Sequence, residues 1–235
     1  MPSELANFTA WPSRKAQFDV RGMMNTEGLD PHLLHAWLAA RSLVRGLPMP
    51  VTEHGGFRVD TGSEMETVRW VFPCMGDGLK ELARTIGQPR QFLKVCETSE
   101  ALRAALPAHW TIHAPSHVMR ANGIMPRRQL ADGYSIAVEQ SGAVTSVRIV
   151  TDAGILAASG YGAETDGVFV YDRIVTEPEH RRIGLGHLLM QTLHEARGNP
   201  HSFELLVATD DGRALYETLG WEKIASYASA SIVVT

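Results

Sequence analysis

The spacing of apolar and polar residues in the second half of the chain predicts a run of strands followed by alternating helices and strands. Apolar residues alternate or run together over four segments, near residues 134–139, 144–150, 155–162 and 168–175. The remaining segments are a helix from about residue 184, a strand near 203–208, a short helix over 210–219, and strands near 223–227 and 231–234. In this order, three turns between antiparallel strands come before one crossover helix. This order predicts a mixed, mostly antiparallel central sheet within the α/β or α+β class.

The first half of the chain predicts a further set of helices and strands. Asp30 and Pro31 supply a helix cap and a first-turn proline, and helical spacing continues from there to about Gly46. Short strands are predicted at residues 57–60, 68–72 and 92–95, and helices after Asp77 and Thr98. We therefore expect an additional α/β half in front of the second one.

Two stretches without periodicity divide the chain. Residues 1 to about 26 form an irregular lead-in with Trp11 and Phe18 as anchors, and residues 121–133 lack a regular pattern. We therefore expect an N-terminal α/β region over residues 1–125 and a second domain over residues 130–235. No internal repeat and no low-complexity tract are evident.

The segment before the leucine-rich helix of the second half combines arginine with glycine. It reads Arg181-Arg182-Ile183-Gly184-Leu185-Gly186. A glycine-containing loop that enters a helix presents free backbone N–H groups and the positive end of the helix dipole. Glycine also lets the backbone approach a ligand closely, because no Cβ intervenes. The segment therefore predicts a site for a phosphate or a diphosphate.

Two motifs in the correct order make residues 134–227 resemble the GCN5-related N-acetyltransferase (GNAT) superfamily. Arg181, Gly184 and Gly186 match the Gln/Arg-x-x-Gly-x-Gly/Ala motif of that superfamily, and the run-in from Val175 through Pro178 is also typical. The later segment Ala214-Leu215-Tyr216-Glu217-x-Leu219-Gly220-Trp221 looks like the Leu-Tyr-x-x-x-Gly-Phe/Trp segment of the same family. Residues 1–125 carry no such resemblance.

The resemblance implies that acetyl-CoA is the cosubstrate and that its diphosphate lies at the glycine loop. It also implies that the pantetheine arm pairs with the strand before the loop, where a backbone N–H polarises the thioester carbonyl. The implied cofactor-binding residues are Ile174, Val175, Arg181, Arg182, Gly184, Leu185, Gly186, His187 and Thr209. Thr209 stands where the family often has a pantetheine-binding asparagine. His187 lies either near the phosphate or in solvent.

Candidate acid and base residues are Tyr216 and Asp172. Tyr216 is implied as the general acid by the resemblance, and its phenol can donate a proton; alternatively it packs beside the stripe of Leu215 and Leu219. Asp172 lies in an otherwise apolar strand, where burial would raise its pKa into a range useful for a base. The alternative for Asp172 is an ion pair with Arg173 or another arginine, or a bond to the bulged backbone. Several members of the family lack a dedicated base and use a water chain.

The first half is expected to cover the acceptor end of the site and to select a small molecule. Aromatic residues that could form its walls are Trp70, Trp110 and Tyr134, and acidic residues that could attract a cation are Asp60, Glu64 and Glu66. The expected acceptor is therefore the primary amine of a small molecule.

Composition narrows the classes of protein that remain. The chain has 235 residues and a net charge of −4, which argues against a general nucleic-acid surface. No apolar stretch approaches the roughly 20 residues that a membrane span requires. The two cysteines, Cys74 and Cys96, lack zinc spacing, and the histidines form no clear ligand pair, so no metal is expected. The start of the chain lacks the order of a secretory signal, which favours a cytoplasmic protein, and the first half leaves room for a homodimer.

The sequence favours an enzyme that moves the acetyl group of acetyl-CoA to an amine by direct attack in a ternary complex. A non-catalytic acyl-CoA-binding or sensing protein of the same fold remains the main alternative. A dinucleotide oxidoreductase is disfavoured, because the Rossmann loop requires a third glycine where Leu189 stands.

Overall fold

The computed structural model describes residues 28–123 and 125–232. The predicted lead-in over residues 1–26, with Trp11 and Phe18, lies outside the described residues. Within them, the helices are α1 (Pro31–Arg45), α2 (Asp77–Thr85), α3 (Ser99–Ala105), α4 (Leu185–Glu195) and α5 (Asp210–Thr218). A short 3₁₀ turn spans Pro178–His180.

The strands of the described residues join into one sheet. In the first half they are β1 (Val51–Glu53), β2 (Gly56–Asp60), β3 (Val68–Phe72), β4 (Gln91–Val95), β5 (Trp110–Ile112) and β6 (Ser116–Ala121). In the second half they are β7 (Tyr134–Ser141), β8 (Val144–Thr151), β9 (Leu156–Thr165), β10 (Val168–Thr176), β11 (Phe203–Thr209) and β12 (Trp221–Ile232). The order across the sheet is β1-β2-β3-β4-β12-β6-β11-β10-β9-β8-β7, and β5 pairs with β12. The predicted mixed, mostly antiparallel sheet is confirmed, because among the described strands only the β3–β4 and β10–β11 pairs are parallel.

The two halves share one order of elements. An antiparallel strand pair leads through a crossover helix to a parallel strand, and a second helix leads to a further strand: β2-β3-α2-β4-α3-β5 in the first half and β9-β10-α4-β11-α5-β12 in the second. This topological repeat was not evident in the sequence, because it is carried by the order of elements and not by matching motifs.

The halves also complete each other's part of the sheet. Strand β6 of the first half lies between β11 and β12, antiparallel to both. In return, the end of β12 lies between β4 and β5, where Ala228 pairs with Val95 and Ala230 pairs with Ile112. A boundary near residue 125 therefore does not separate two independent sheets.

Helix α1 packs against strands of both halves. Asp30 caps it by accepting hydrogen bonds from the backbone N–H groups of His32 and Leu33, and Gly46 ends it with φ of 61°, as the sequence predicts. Its buried face packs with residues of five strands, namely Val71, Val118, Val170, Leu205 and Tyr227. Each large apolar side chain buried there contributes about 1.5–3 kcal/mol. Helices α4 and α5 contribute to a second cluster, and α2 and α3 to a third.

Three local predictions need correction. Gly76, and not Asp77, is the N-cap residue of α2, and Asp77 is its first residue. The two strands predicted near 223–227 and 231–234 form the single strand β12 up to Ile232, with a register shift between Lys223 and Ala225. Strands β1 and β6 were not predicted. The pairing partners of β6 lie about 90 residues or more along the chain, so no signal from a neighbouring segment indicates this strand.

No helix in the described part of the chain is both long enough and apolar enough to cross a membrane.

Candidate functional site

The site is an opening between two parallel strands of the second half. Strands β10 and β11 pair over three positions, ending at Val170 and Leu205, although both strands continue beyond them. The corresponding strands of the first half, β3 and β4, pair up to their ends at Phe72 and Val95. Only the second half of the described chain therefore has unpaired backbone groups between its parallel strands, where an extended ligand can add itself.

A bulge in β10 lies at the opening. The pairing of β10 with β9 changes register between Asp172 and Val175. Arg173 within the bulge has φ of 52°, in the left-handed region that non-glycine residues seldom adopt. The bulge takes Arg173 and Ile174 out of the regular ladder, and pairing with β9 resumes at Val175.

The glycine loop ends at the start of α4, next to the opening. Gly184 is the N-cap residue with φ of 93°, and no side chain caps the helix. The first backbone N–H groups of α4 therefore lack an intrahelical partner and carry the positive end of the helix dipole. A Cβ on Gly186 would lie 3.4 Å from Thr176 Oγ1, so glycine keeps this surface close to the backbone. These features fit the diphosphate of acetyl-CoA.

Both predicted loop arginines are exposed. Arg181 Nε donates a hydrogen bond to the carbonyl oxygen of Thr176 at 3.0 Å, which holds that side chain against the end of β10. Arg182 has φ of 67°. Leu185 is buried and anchors the first turn of α4 in the core.

A third arginine, Arg128, lies over the loop and was missed from the sequence. A Cβ built on Gly184 would lie 2.4 Å from Nη1 of Arg128. The backbone N–H of Arg128 donates to Gln191 Oε1 at 2.9 Å, which docks the segment between the halves onto α4. The adjacent arginines after Pro126 were a visible signal, but nothing in the sequence indicates that they reach the loop.

His187 holds the same segment and is not a solvated residue. Its side chain is buried, and Nε2 donates to the carbonyl oxygen of Pro126. The ring thus binds the segment that carries Arg128. His187 therefore contributes to the glycine loop by positioning Arg128.

Tyr216 lies on α5 with its side chain buried. Its ring packs 6.2 Å from that of Trp221, and burial raises the pKa of Tyr216 to about 12. A Cβ on Gly212 would lie 3.4 Å from its ring, and Thr209 lies at the start of the same helix. The phenol therefore stays protonated at neutral pH, as a proton donor must.

Thr209 acts as a helix cap. Its Oγ1 accepts a hydrogen bond from the backbone N–H of Gly212 at 3.3 Å. The hydroxyl hydrogen remains for a second partner, so one donor to a pantetheine amide is left where the family asparagine would offer two.

Asp172 does not have the raised pKa that the sequence suggested. Arg45 of α1 binds its carboxylate with two hydrogen bonds, at 2.5 Å from Nε and 2.8 Å from Nη2, and Arg41 Nη2 lies 3.5 Å away. Burial acts to raise the pKa of Asp172, but the hydrogen bond from Arg45 and the charge of Arg41 outweigh it and lower the pKa. The ion pair with other arginines, and not the base, is the interpretation that these contacts support. Arg173 instead donates to the carbonyl oxygen of Val44 at 2.7 Å.

Each aromatic residue predicted to line the acceptor site has a hydrogen-bond partner. Trp70 Nε1 donates to Glu53 at 2.5 Å, Trp110 Nε1 donates to the carbonyl oxygen of Ala83, and the Tyr134 hydroxyl lies 2.9 Å from His180 Nδ1. The acidic candidates include Asp60, which pairs with Arg58, and Glu66, which pairs with Arg69 and Lys94. Within the described residues, no group of three or more His, Cys, Asp or Glu side chains could hold a metal ion.

Comparison with known proteins agrees with this geometry. Residues 134–223 match the family model of the acetyltransferase (GNAT) domain. No protein with a curated description matches the chain significantly. Two solved structures have the same fold over most of the chain. A GCN5-related N-acetyltransferase from Kribbella flavida has a TM-score of 0.61 at 19% identity, covering 88% of this chain and 97% of that one.

The second is a GNAT-family protein from Novosphingobium aromaticivorans, with a TM-score of 0.55 at 16% identity, covering 87% of this chain and 100% of that one. A tandem GNAT protein from the clavulanic acid biosynthesis pathway has a TM-score of 0.50 at 17% identity, covering 72% of this chain and 76% of that one. Residues 134–223 therefore match the GNAT acetyltransferase domain, and the fold of the described chain is similar to those of GNAT-family structures.

Proposed function

We propose that this protein transfers the acetyl group of acetyl-CoA to the primary amine of a small molecule, by direct attack in a ternary complex. The observation that carries the proposal is the opening between β10 and β11, which lies beside an uncapped helix start and near a buried, protonated Tyr216. The main alternative is a non-catalytic protein that binds acyl-CoA.

In this proposal the start of α4 holds the diphosphate. The free N–H groups of Leu185, Gly186 and His187 face it, with Arg181 and Arg182 as cations of the loop. The unpaired side of β10 at Ile174 and Val175 pairs with the pantetheine amides, and Thr209 donates from across the opening. Acetyl-CoA supplies an activated thioester to which the amine adds.

The protein then polarises the thioester carbonyl and protonates the departing sulfur. A backbone N–H of the β10 bulge donates to the thioester carbonyl oxygen, where negative charge develops. Tyr216 donates its phenolic proton to the sulfur as the C–S bond breaks. Asp172 forms ion pairs with Arg41 and Arg45, so the role of these three residues is to support the bulge.

The described part of the first half offers no second cofactor site at the loop that corresponds to the glycine loop. The loop between β3 and α2 is short, and a Cβ on Gly78 would lie 1.8 Å from the carbonyl oxygen of His54, which places that carbonyl against the start of α2. Asp77 adds a negative charge to the first turn. We therefore propose one active site per chain.

Thiol release tests the proposal against its alternative. Purified protein is mixed with acetyl-CoA and a panel of primary amines, and free coenzyme A is measured. Turnover on at least one amine supports the transferase. Tight acetyl-CoA binding without amine-dependent release on any member of the panel favours the sensor.

A further inference from the structure

A cleft of about 250 Å³ lies where strands of the two halves exchange. Its walls come from the end of β4 and start of α3, from the segment before β6, and from the middle of β12. The lining residues that matter here are Glu97, Ser99, Glu100, His113, His117 and Tyr227. The first half thus contributes most of the wall.

The charge of the cleft suits a cation. Two carboxylates and two imidazoles line it, and neither lysine nor arginine is among its lining residues. The glycine loop before α4 has the opposite charge, because Arg181 and Arg182 belong to it and Arg128 lies over it. An anionic ligand would be repelled by Glu97 and Glu100, whereas an ammonium group would be attracted.

His117 lines the cleft and has an unused proton acceptor on its ring. The residue is only 7% exposed, and its Nε2 lies 2.6 Å from Asp210 Oδ1. Because the carboxylate accepts, Nε2–H donates, and the neutral ring then has its lone pair on Nδ1. That Nδ1 is buried and has no hydrogen-bond partner among the described residues. Buried acceptors without partners are rare in folded proteins.

Two further polar atoms of the lining residues share this property. The hydroxyl groups of Ser99 and Tyr227 are buried and lack a partner within the part of the chain that the structure describes. An ammonium group offers three N–H donors, so a small amine satisfies such acceptors better than an apolar ligand would.

The cleft lies one strand away from the opening between β10 and β11. His117 of β6 pairs with Ala208 of β11, and Ser116 pairs with Thr209 at the end of that strand. Neighbouring strands are about 4.8 Å apart. Asp210, the partner of His117, also begins the helix that carries Tyr216. An amine at the mouth of the cleft therefore reaches the opening across the end of β11.

We propose that this cleft binds the acceptor, a small molecule with a primary ammonium group and a second cationic group, and that His117 is its base. The inference rests on the proposed acetyl transfer. His117 Nδ1 takes a proton from the ammonium group, and the freed amine forms the C–N bond. The nitrogen then loses a second proton to solvent as the C–S bond breaks. The departing sulfur takes the Tyr216 proton, and solvent then returns both side chains to their starting states.

Three amines with chains of four carbons test the charge preference. We expect kcat/KM at saturating acetyl-CoA to fall from 1,4-diaminobutane to n-butylamine to 4-aminobutanoate. Glu97→Gln and Glu100→Gln should each reduce the preference for the diamine by about tenfold, with the KM of acetyl-CoA unchanged. Glu139→Gln, an exposed residue of β7, is the matched control and should leave the order intact.

His117→Gln tests the base. It should lower kcat for the diamine by about 100-fold while acetyl-CoA affinity stays at the wild-type value, which also shows that the variant is folded. Equal rates for the three amines, a preference for 4-aminobutanoate, failure of 1,4-diaminobutane to bind by calorimetry, or an unchanged kcat in His117→Gln would overturn the inference. Loss of acetyl-CoA binding by the wild-type protein would instead contradict the proposed function itself.

Discussion

The guanidinium group of Arg128 lies directly over Gly184, so that a Cβ on this glycine would meet Arg128 Nη1 at 2.4 Å. One residue comes from the segment that joins the halves and the other from the cofactor loop. This contact makes the connecting segment part of the candidate cofactor site. It adds a third cation where the sequence motif supplies two.

Arg128→Ala should weaken acetyl-CoA binding. We expect the Kd to rise about threefold to fivefold, a modest change because the side chain is exposed and solvent screens its charge. Titration calorimetry at low and at high salt measures the effect, and the difference from wild type should shrink at high salt. Arg127→Ala is the control, since Arg127 is the neighbouring arginine and is also exposed, whereas the three atoms nearest to a Cβ on Gly184 all belong to Arg128. An equal effect of both variants would remove the specific role of Arg128.

Gly184→Val should abolish measurable acetyl-CoA binding. A β-branched residue is strained at φ of 93°, and its Cβ displaces Arg128 from the loop. Gly142→Val separates strain from ligand contact, because Gly142 has φ of 58° and nothing within 4 Å of an added Cβ. Both variants are expected to lose about 1–3 kcal/mol of stability, but only the first should lose the cofactor. Wild-type affinity in Gly184→Val contradicts the loop assignment.

Tyr216→Phe should lower kcat by about 100-fold and leave the apparent acetyl-CoA constant nearly unchanged, as expected for loss of a general acid. Because the pKa of Tyr216 is raised to about 12, this group stays protonated across the working range, so wild-type activity should not fall from its ionisation below about pH 10. Steady-state kinetics between pH 6 and pH 10 provide the measurement. Unchanged turnover in the variant leaves Tyr216 as a packing residue.

Asp172→Asn should reduce stability more than turnover. The change leaves Arg41 and Arg45 without their carboxylate, which we expect to cost about 2–4 kcal/mol, less than for a fully buried pair because Arg45 is 28% exposed. Turnover of the folded variant should stay within about threefold of wild type, since the carboxylate is held in an ion pair. A 100-fold loss of turnover with normal stability would restore the base assignment.

The lowered pKa of Asp172 also sets the direction of a pH effect. The native carboxyl binds a proton less readily than the unfolded one, whose pKa is about 3.9. Its stabilisation is therefore complete above that pH and is lost as the pH falls through the lower native value. Urea unfolding should show a steeper loss of stability below pH 4 in wild type than in Asp172→Asn.

The exchange of β6 and β12 predicts that the halves fold together. A fragment that begins at residue 126 lacks β6, which leaves β11 and β12 without the strand that joins them. We expect neither residues 1–125 nor residues 126–235 alone to unfold cooperatively, whereas co-expressed fragments should assemble. Independent cooperative unfolding of the second fragment would support two separate domains, and only then would deletion of residues 1–125 test the acceptor selectivity of the first half.

Local signals in the sequence identified the parts of the fold and site that depend on neighbouring residues. The cap at Asp30, the helix end at Gly46 and the glycine loop at the start of α4 follow from backbone chemistry within a few positions. Such features need no knowledge of the rest of the chain. They were sufficient to predict a glycine loop at the start of α4.

Features that join distant segments could not be predicted in this way. Asp172 is paired with Arg45, 127 positions away, so its environment was judged from β10 alone and its pKa was expected to move in the wrong direction. The partner of His187 lies 61 positions away, and β6 gains its place only through pairing with the second half. Each depends on tertiary packing, which periodicity within one segment does not reveal.

The central claim is that the start of α4 binds the diphosphate of acetyl-CoA. Calorimetric titration of the wild-type protein with acetyl-CoA and with S-acetylpantetheine, which has the thioester but lacks the diphosphate, tests it most directly. The account predicts that acetyl-CoA binds about 100-fold more tightly or better. Equal affinity for the two compounds, or no binding of acetyl-CoA, would contradict it.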